Sequence, residues 1–351
     1  MPDAGHQPRL RLALALAGGG RATRRLLSGR GEAREASWAT APAALKTEVA
    51  RLLDDEVPAV LASARRAGWR WLVPGDDGYP ELLQHVADPP LGLFVRGELR
   101  PAPVVAVVGS RRATAYGRQV ARLLAEELAA AGVIVASGMA RGVDAAAHEG
   151  ALAGGGATWA VWGTGPDTVY PAEHRELASA IAAAGALITE YLPGTPPRRH
   201  HFPERNRILA GLASAVVVVE AAARSGALIT ARLAVDEGRE VLAVPGSILS
   251  EVSVGPNTLL HLGARPMLTP RDVLDAIGHP AAEGRSRPAA AHPLLEHLDA
   301  GESVTADELV ARSGLGISQV HGALLELELA GDVERARDGR FQRRRVEAAG
   351  E

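Results

Sequence analysis

The 351-residue chain has no cysteine, which removes disulfides, thiolate zinc sites, iron–sulfur clusters and cysteine nucleophiles together. That absence suits a reducing compartment, and the cytoplasm is the expected location. Lysine is almost missing too: Lys46 stands alone, and arginine supplies the rest of the 38 Lys plus Arg residues. A Walker A loop, which needs Lys after its glycines, is therefore excluded. Long apolar runs are lacking as well. Leu12 to Ala17 is shorter than a usual signal-peptide core, and no stretch approaches the roughly 20 residues of a membrane helix, so no membrane partner is expected. Neither charge sign dominates, since the formal net charge is −3; a polyanion must be met by local clusters rather than a basic coat. What is plentiful is apolar content, 47%, enough for a core in each of two or three domains.

Apolar spacing of three and four in "LKTEVARLLDDEVPAVLASARRAG" predicts helices, and residues 1–70 read as a small helical domain. The segment from Gly68 to Pro103 mixes Pro, Gly and short apolar runs and reads as an ordered connector. From Val104 to Gly278 one rhythm repeats: a short β-branched run, a Gly- or Pro-rich loop, then an amphipathic helix. Strands are predicted over 104–108, 133–136, 158–162, 186–189, 215–219, 240–244 and 265–268. Such continuous runs alternating with helices predict a doubly wound, Rossmann-like α/β fold with a parallel sheet covered on both faces. This core, with its connector, is assigned to 71–278. Gly132, Gly185 and Gly238 follow helical stretches, where a left-handed C-cap favours glycine. Thr269 to Asp272 offers a further helix start. Residues 279–292 read as a linker, and 293–345 as a winged helix: Thr305 and Glu308 form a capping box, "SGLG" a turn, and Asp338–Gly339 the tip of a hairpin wing.

In open parallel sheets, ligands bind beyond the carboxyl ends of the strands. "GSRR" lies there: Gly109 lets backbone approach a phosphate, and Ser110, Arg111 and Arg112 can donate to it, although a plain turn with solvated arginines has the same spelling. It lacks the third glycine of GxGxxG, and no acid follows strand two, so a dinucleotide site is not expected. "SGMARGVD" adds Ser137, backbone flanked by Gly138, and Arg141 as anion contacts. Asp144 and His148 lie one helical turn apart. The spacing admits acid–base or metal chemistry, but no third ligand is evident, and the expected role is an ordering carboxylate with His148 as its hydrogen-bond partner. "PGTPPRRHHFPERNR", 193–207, packs four arginines, two histidines and a phenylalanine together. Arg198, Arg199, Arg205 and Arg207 can follow a chain of phosphates, with Phe202, one of three phenylalanines, as a stacking face. Alternatively Phe202 anchors the loop to the core and the arginines pair with Glu190 or Glu204. Adjacent His200 and His201 point apart in an extended segment and do not chelate one ion. Ser225 and Gly226 give a turn and N-cap that Glu220 can anchor. No catalytic residue, metal ligand set or cofactor is assigned.

Taken in order, "VVGSRRATAYG", "SGMARGVDAAAHEGAL", "YPAEHREL", "HHFPERNRILAGLA", "EAAARSGALITARLAVDEGREVLAVPG" and "GPNTLLHLGA" resemble the Rossmann-like core of the DprA/Smf family of bacterial DNA-processing proteins. The N-terminal helices are similar to that family's sterile-alpha-motif-like (SAM-like) domain, and the tail to its winged helix. The resemblance implies a protein that binds single-stranded DNA and dimerises through its core. It further implies loading of the RecA recombinase during natural transformation, against bound single-strand-binding protein, without enzymatic turnover. By the same resemblance Arg111 holds a phosphate, Arg199 stands where the family often has Lys, Phe202 stacks on a base, and Asn206 and Arg207 complete the pocket. The second tail helix carries Glu326 and Glu328 and suits the major groove poorly. Arg335, Arg337 and Arg340 on the wing can give weak duplex contact, and a partner surface is an equal reading.

A different class remains: nucleoside-monophosphate phosphoribohydrolases have similar cores. They carry a "PGGxGT" loop and a following glutamate, whereas the turn here reads "ARSGALITA". That departure favours DNA binding over nucleotide hydrolysis.

Overall fold

The structure, a computed structural model, describes residues 7–18, 41–279, 293–298, 302–330, 333–336 and 339–343. Its contacts divide the chain into two units, Met1–Ala281 and Ala282–Glu351. None of the described helices is long and apolar enough to cross a membrane.

Among the described residues three helices come first: α1 (Gln7–Leu16), α2 (Ala43–Asp55) and α3 (Val57–Arg66). The segment expected to be a connector instead contributes two strands, β1 (Arg70–Leu72) and β2 (Leu93–Gly97), around the short helix α4 (Glu81–Gln84). Leu93, Phe94 and Val95 are fully buried, so burial on both sheet faces outweighs the flanking prolines and glycines that disguised β2. The βα rhythm follows as β3 (Val104–Val108), α5 (Ala115–Ala130), β4 (Ile134–Ser137), α6 (Val143–Ala153), β5 (Thr158–Val161) and α7 (Arg175–Ala184). It continues through β6 (Ala186–Thr189), α8 (His201–Leu212), β7 (Ala215–Val218), α9 (Gly226–Asp236), β8 (Glu240–Ala243), α10 (Val254–His261), β9 (Arg265–Pro266) and α11 (Pro270–Ala276).

The nine strands are ordered β1-β2-β6-β5-β4-β3-β7-β8-β9. From β6 to β9 neighbours pair in parallel, while β1 and β2 add antiparallel at the β6 edge. The sequence pattern thus predicts the parallel sheet correctly. Both faces are covered: Val104, Ala106 and Val108 face α8 and α9, whereas Val105 and Val107 face α5, α6 and α11. Helices α1, α2 and α3 share a third apolar cluster with Phe94, Trp162 and Ile181. Gly132 and Gly238 take the left-handed conformation, φ 82° and 68°, but Gly185 does not, with φ −153°. Its glycine is required because a methyl group there would collide with the Thr158 carbonyl of β5.

The second unit packs a 3-10 turn over 293–297, β10 (Ser303–Val304), α12 (Ala306–Ser313), α13 (Ile317–Ala330), β11 (Val333–Arg335) and β12 (Phe341–Arg343). Its sheet order is β10-β12-β11, all antiparallel. The capping box is present: Thr305 N–H donates to Glu308 (2.7 Å) and Glu308 N–H to Thr305 Oγ1 (3.2 Å). Gly314 at φ 69° ends α12. Of the wing arginines, Arg340 donates to the Ser303 carbonyl (2.8 Å) within its own unit; Arg337 and Asp338 lie outside the described residues.

Candidate functional site

From β3 the chain steps outward through β4 and β5 to β6, then returns through α8 to β7 on the other flank of β3. The carboxyl ends of β3 and β7 therefore form the switch point at which doubly wound sheets leave a crevice. A cavity of about 570 Å³ opens there. It is lined by the β3 loop (Gly109, Ser110, Arg111, Arg112), Ala140 and Asp144 below β4, the start of α8 (Phe202, Arg205, Asn206) with Arg199 before it, and Ser225 to Ala227 at the start of α9. Four arginines and one carboxylate line it, so the field inside favours an anion.

Arg111, Arg112 and Arg199 are exposed on its lip. The Arg111 guanidinium carbon lies 5.0 Å from the Phe202 ring centre, in cation–π range. Tyr170 meets the same ring at 5.3 Å, tilted 40°, and a methyl group at Gly163 would press on its other side. Phe202 is thus half-buried: Tyr170 and Gly163 pack against it, as one sequence reading expected, and the exposed Arg111 lies over the ring. Arg198 and Arg141 are exposed near the rim but do not line the cavity, and Arg141 pairs with Glu173.

Two expected lip residues are not on the lip. Arg205 is 3% exposed; its Nη1 donates to the Gly138 carbonyl (3.1 Å) and its Nε to Asn206 Oδ1 (3.2 Å). Burial pushes its pKa down to about 10, partly offset by Asp144, so it stays charged at neutral pH. Asn206 in turn donates to the Gly226 carbonyl (3.3 Å), tying α8 to α9. Arg207 points away from the cavity and pairs with Glu190 and, at 3.6 Å, Asp88. The sequence places both arginines in the first turn of α8, but helical spacing turns them toward opposite packed surfaces.

Further corrections concern the loop after β4. Ser137, fully buried, donates to the Val107 carbonyl (2.7 Å) and does not face the cavity. Asp144 does order the loop: its Oδ2 accepts from the N–H groups of Gly138 (3.1 Å) and Ala140 (3.3 Å), while burial holds its pKa above the usual value. His148 is not its partner. The imidazole Nδ1 meets Thr158 Oγ1 at 2.7 Å, and because that hydroxyl donates to the Val135 carbonyl (2.6 Å), the imidazole must be the donor. His200 and His201 do not point apart along an extended strand. His200 is the N-cap of α8 and His201 its first residue, with rings 4.5 Å apart edge-on, and buried His201 contacts the Gly163 carbonyl at 3.1 Å. Ser225 caps α9, accepting from Ala227 N–H (3.3 Å), while Glu220 reaches across to α5 instead of anchoring that turn: Thr114 N–H (2.9 Å) and Thr114 Oγ1 (2.5 Å) donate to its carboxylate.

Burial holds the His148 pKa down at about 3, with His174 and Arg205 adding to the shift. The unfolded chain takes up this proton near the ordinary value of 6.5 and the folded chain does not. Stability is therefore full above that pH and falls as pH drops toward 3, by up to about 1.4 kcal/mol per unit. Melting curves at pH 7 and pH 5 measure it: wild type is expected to lose more stability than His148→Gln, and equal losses would contradict the assignment.

Similar proteins fit this arrangement of strands and loops. The family model described as DNA recombination-mediator protein A matches residues 70–278, and the DprA winged helix domain matches residues 278–339. The chain is 41% identical over 291 residues to Protein Smf of Escherichia coli (strain K12), covering 78% of each. With the DNA processing protein DprA of Bacillus subtilis (strain 168) it shares 37% identity over 238 residues, 67% of this chain and 80% of the relative. Among solved structures, DprA of Streptococcus pneumoniae superposes with a TM-score of 0.64 at 36% identity, covering 76% of this chain and 92% of that one. The DNA processing protein A of Helicobacter pylori, solved for its single-stranded DNA binding mode, gives 0.53 at 28% identity, covering 59% of this chain and 95% of that one. Matched along the whole sheet and the C-terminal unit, the chain belongs to the DNA recombination-mediator protein A family, the DprA/Smf proteins.

Proposed function

We propose that the chain binds single-stranded DNA at the switch-point cavity, without enzymatic turnover. The observation that carries this is the pairing, in one cavity, of exposed Arg111, Arg112 and Arg199 with the outer face of Phe202. Arginines meet successive phosphates bidentately, and any nucleobase stacks on an aromatic face, so the strand is held without sequence readout. In this reading a base takes the place of Arg111 on Phe202, and the freed guanidinium turns to a phosphate. Gly109 and Ser110 give the backbone approach, Asn206 the cavity wall, and Arg198 and Arg141 flanking charge. Arg205 and Gly138 support the loop from beneath, and Arg207 braces α8 from its far side. The Helicobacter pylori neighbour's single-stranded DNA binding mode supports the assignment.

The family resemblance supports the wider proposal: a homodimer that covers incoming single strands and loads RecA onto them against single-strand-binding protein, in the cytoplasm, with the wing giving at most weak duplex contact. Against a hydrolytic reading, the one carboxylate in the cavity lining, Asp144, accepts hydrogen bonds from the N–H groups of Gly138 and Ala140 and so serves to order the loop after β4. The test is a titration with oligo-dT at several salt concentrations. Three neutralised phosphates predict a log–log slope of about −2, and an affinity independent of salt would refute it.

A further inference from the structure

Resting on the strand-binding reading, we propose that Tyr170 is a second stacking face and the residue that sets base preference. Two neighbouring bases lie on Tyr170 and Phe202, unstacked from one another, which favours thymine runs over adenine runs. The Tyr170 ring lines the same cavity and is 38% exposed. Its centre lies 5.3 Å from that of Phe202, with the planes tilted 40°. Rings at that separation are in contact, so no base enters between them and each offers its own outer face. Successive bases in a helical stack lie parallel, about 3.4 Å apart. A pair resting on two tilted faces cannot keep that stack, so the site takes neighbours that part readily. Thymine, which stacks weakly on its own kind, parts at less cost than adenine. The choice between sequences then follows stacking strength and not hydrogen bonds to base edges.

Tyr170 is held from both sides. The loop after β5 closes on itself: Thr164 Oγ1 donates to the Thr168 carbonyl (2.6 Å) and Thr168 N–H to the Gly165 carbonyl (3.1 Å). It is also tied to the segment leading into α8, since Gly165 N–H donates to the Thr195 carbonyl (2.9 Å) and Gly194 N–H to Asp167 Oδ1 (2.9 Å). Beyond Tyr170, Glu173 pairs with Arg141, and the His174 imidazole meets the Met139 carbonyl at 3.0 Å. The segments that carry the two rings are therefore joined. Their faces are set before a strand arrives, which lowers the ordering cost of binding. The charges follow the same line, with Arg111 over Phe202 and Arg141 within electrostatic range of Tyr170. A strand laid from one ring to the other meets an arginine at each.

The test titrates the full chain with oligo-dT and with oligo-dA of equal length, comparing wild type, Tyr170→Phe, Tyr170→Leu and Tyr170→Ala. Wild type should bind oligo-dT more tightly than oligo-dA, and Tyr170→Phe, which keeps the π-face, should do the same. Tyr170→Leu keeps an apolar prop for Phe202 but offers no face for a base. It and Tyr170→Ala should each weaken oligo-dT binding about 5- to 150-fold, the range for one stacked base, and lose less on oligo-dA. Because Tyr170 is exposed, the melting transition should stay in place in all three variants. Oligo-dT affinity unchanged in Tyr170→Leu would overturn the proposal, since the ring would then only brace Phe202. Equal losses on the two oligonucleotides, or a loss in Tyr170→Phe as large as in Tyr170→Ala, would overturn it as well. A wild type that binds no oligo-dT would instead sink the strand-binding reading, and this inference with it.

Discussion

Arg205→Met is expected to lower the unfolding free energy by about 3–5 kcal/mol, the usual cost of leaving a buried charge uncompensated. Arg205 and Asp144 both approach Gly138, the residue at which a side chain would collide with the guanidinium. Removing the cation leaves Asp144 buried with the N–H groups of Gly138 and Ala140 and the charge of Arg111 to meet its own. It also frees the Gly138 carbonyl and Asn206 Oδ1, so the cavity floor loosens along with the fold. A second substitution separates these effects: adding Asp144→Asn removes the stranded charge, and the double variant should recover part of the loss. Denaturant titration of the three proteins reads the coupling. Strictly additive losses would contradict a charge-compensated pair.

Phe202→Ala should weaken oligo-dT binding about 5- to 150-fold, corresponding to about 1–3 kcal/mol for one stacked base. Its effect on stability should be small by comparison, because the ring is only half-buried and its outer face meets Arg111 and not the apolar core. Phe202→Tyr, which keeps the π-face, should bind nearly as wild type does. That contrast distinguishes stacking from a loss of loop structure, which both substitutions would share if the ring acted only as an anchor.

The sheet was legible in the sequence because the core strands are short apolar runs rich in β-branched residues, buried on both faces, several of them flanked by glycine. β1 and β2 were not, since Pro and Gly interrupt 68–103 and the pairing of β2 with β6 is set by tertiary burial of Phe94. The lip of the cavity was also legible: topology sends every loop after a strand to one rim, so "GSRR" and Arg199–Phe202 had to lie together. What local spacing could not decide was side-chain direction. Arg205 and Arg207 looked like one basic stripe, yet one crosses beneath Gly138 and the other reaches Glu190. One helical turn suggested an Asp144–His148 pair, whereas His148 points into the sheet at Thr158. Glu220 gave no local sign of its role, because its partner Thr114 is 106 residues away.

The central claim is that an arginine-lined lip and one aromatic face hold a single strand. The most direct measurement is a fluorescence-anisotropy titration of wild type, Arg199→Ala and Phe202→Ala with oligo-dT and with duplex of equal length, at two salt concentrations. The expected result is tighter binding to oligo-dT than to duplex, a shallower salt slope in Arg199→Ala, and a loss in Phe202→Ala that salt leaves unchanged. Wild-type affinity for oligo-dT in both variants would contradict it.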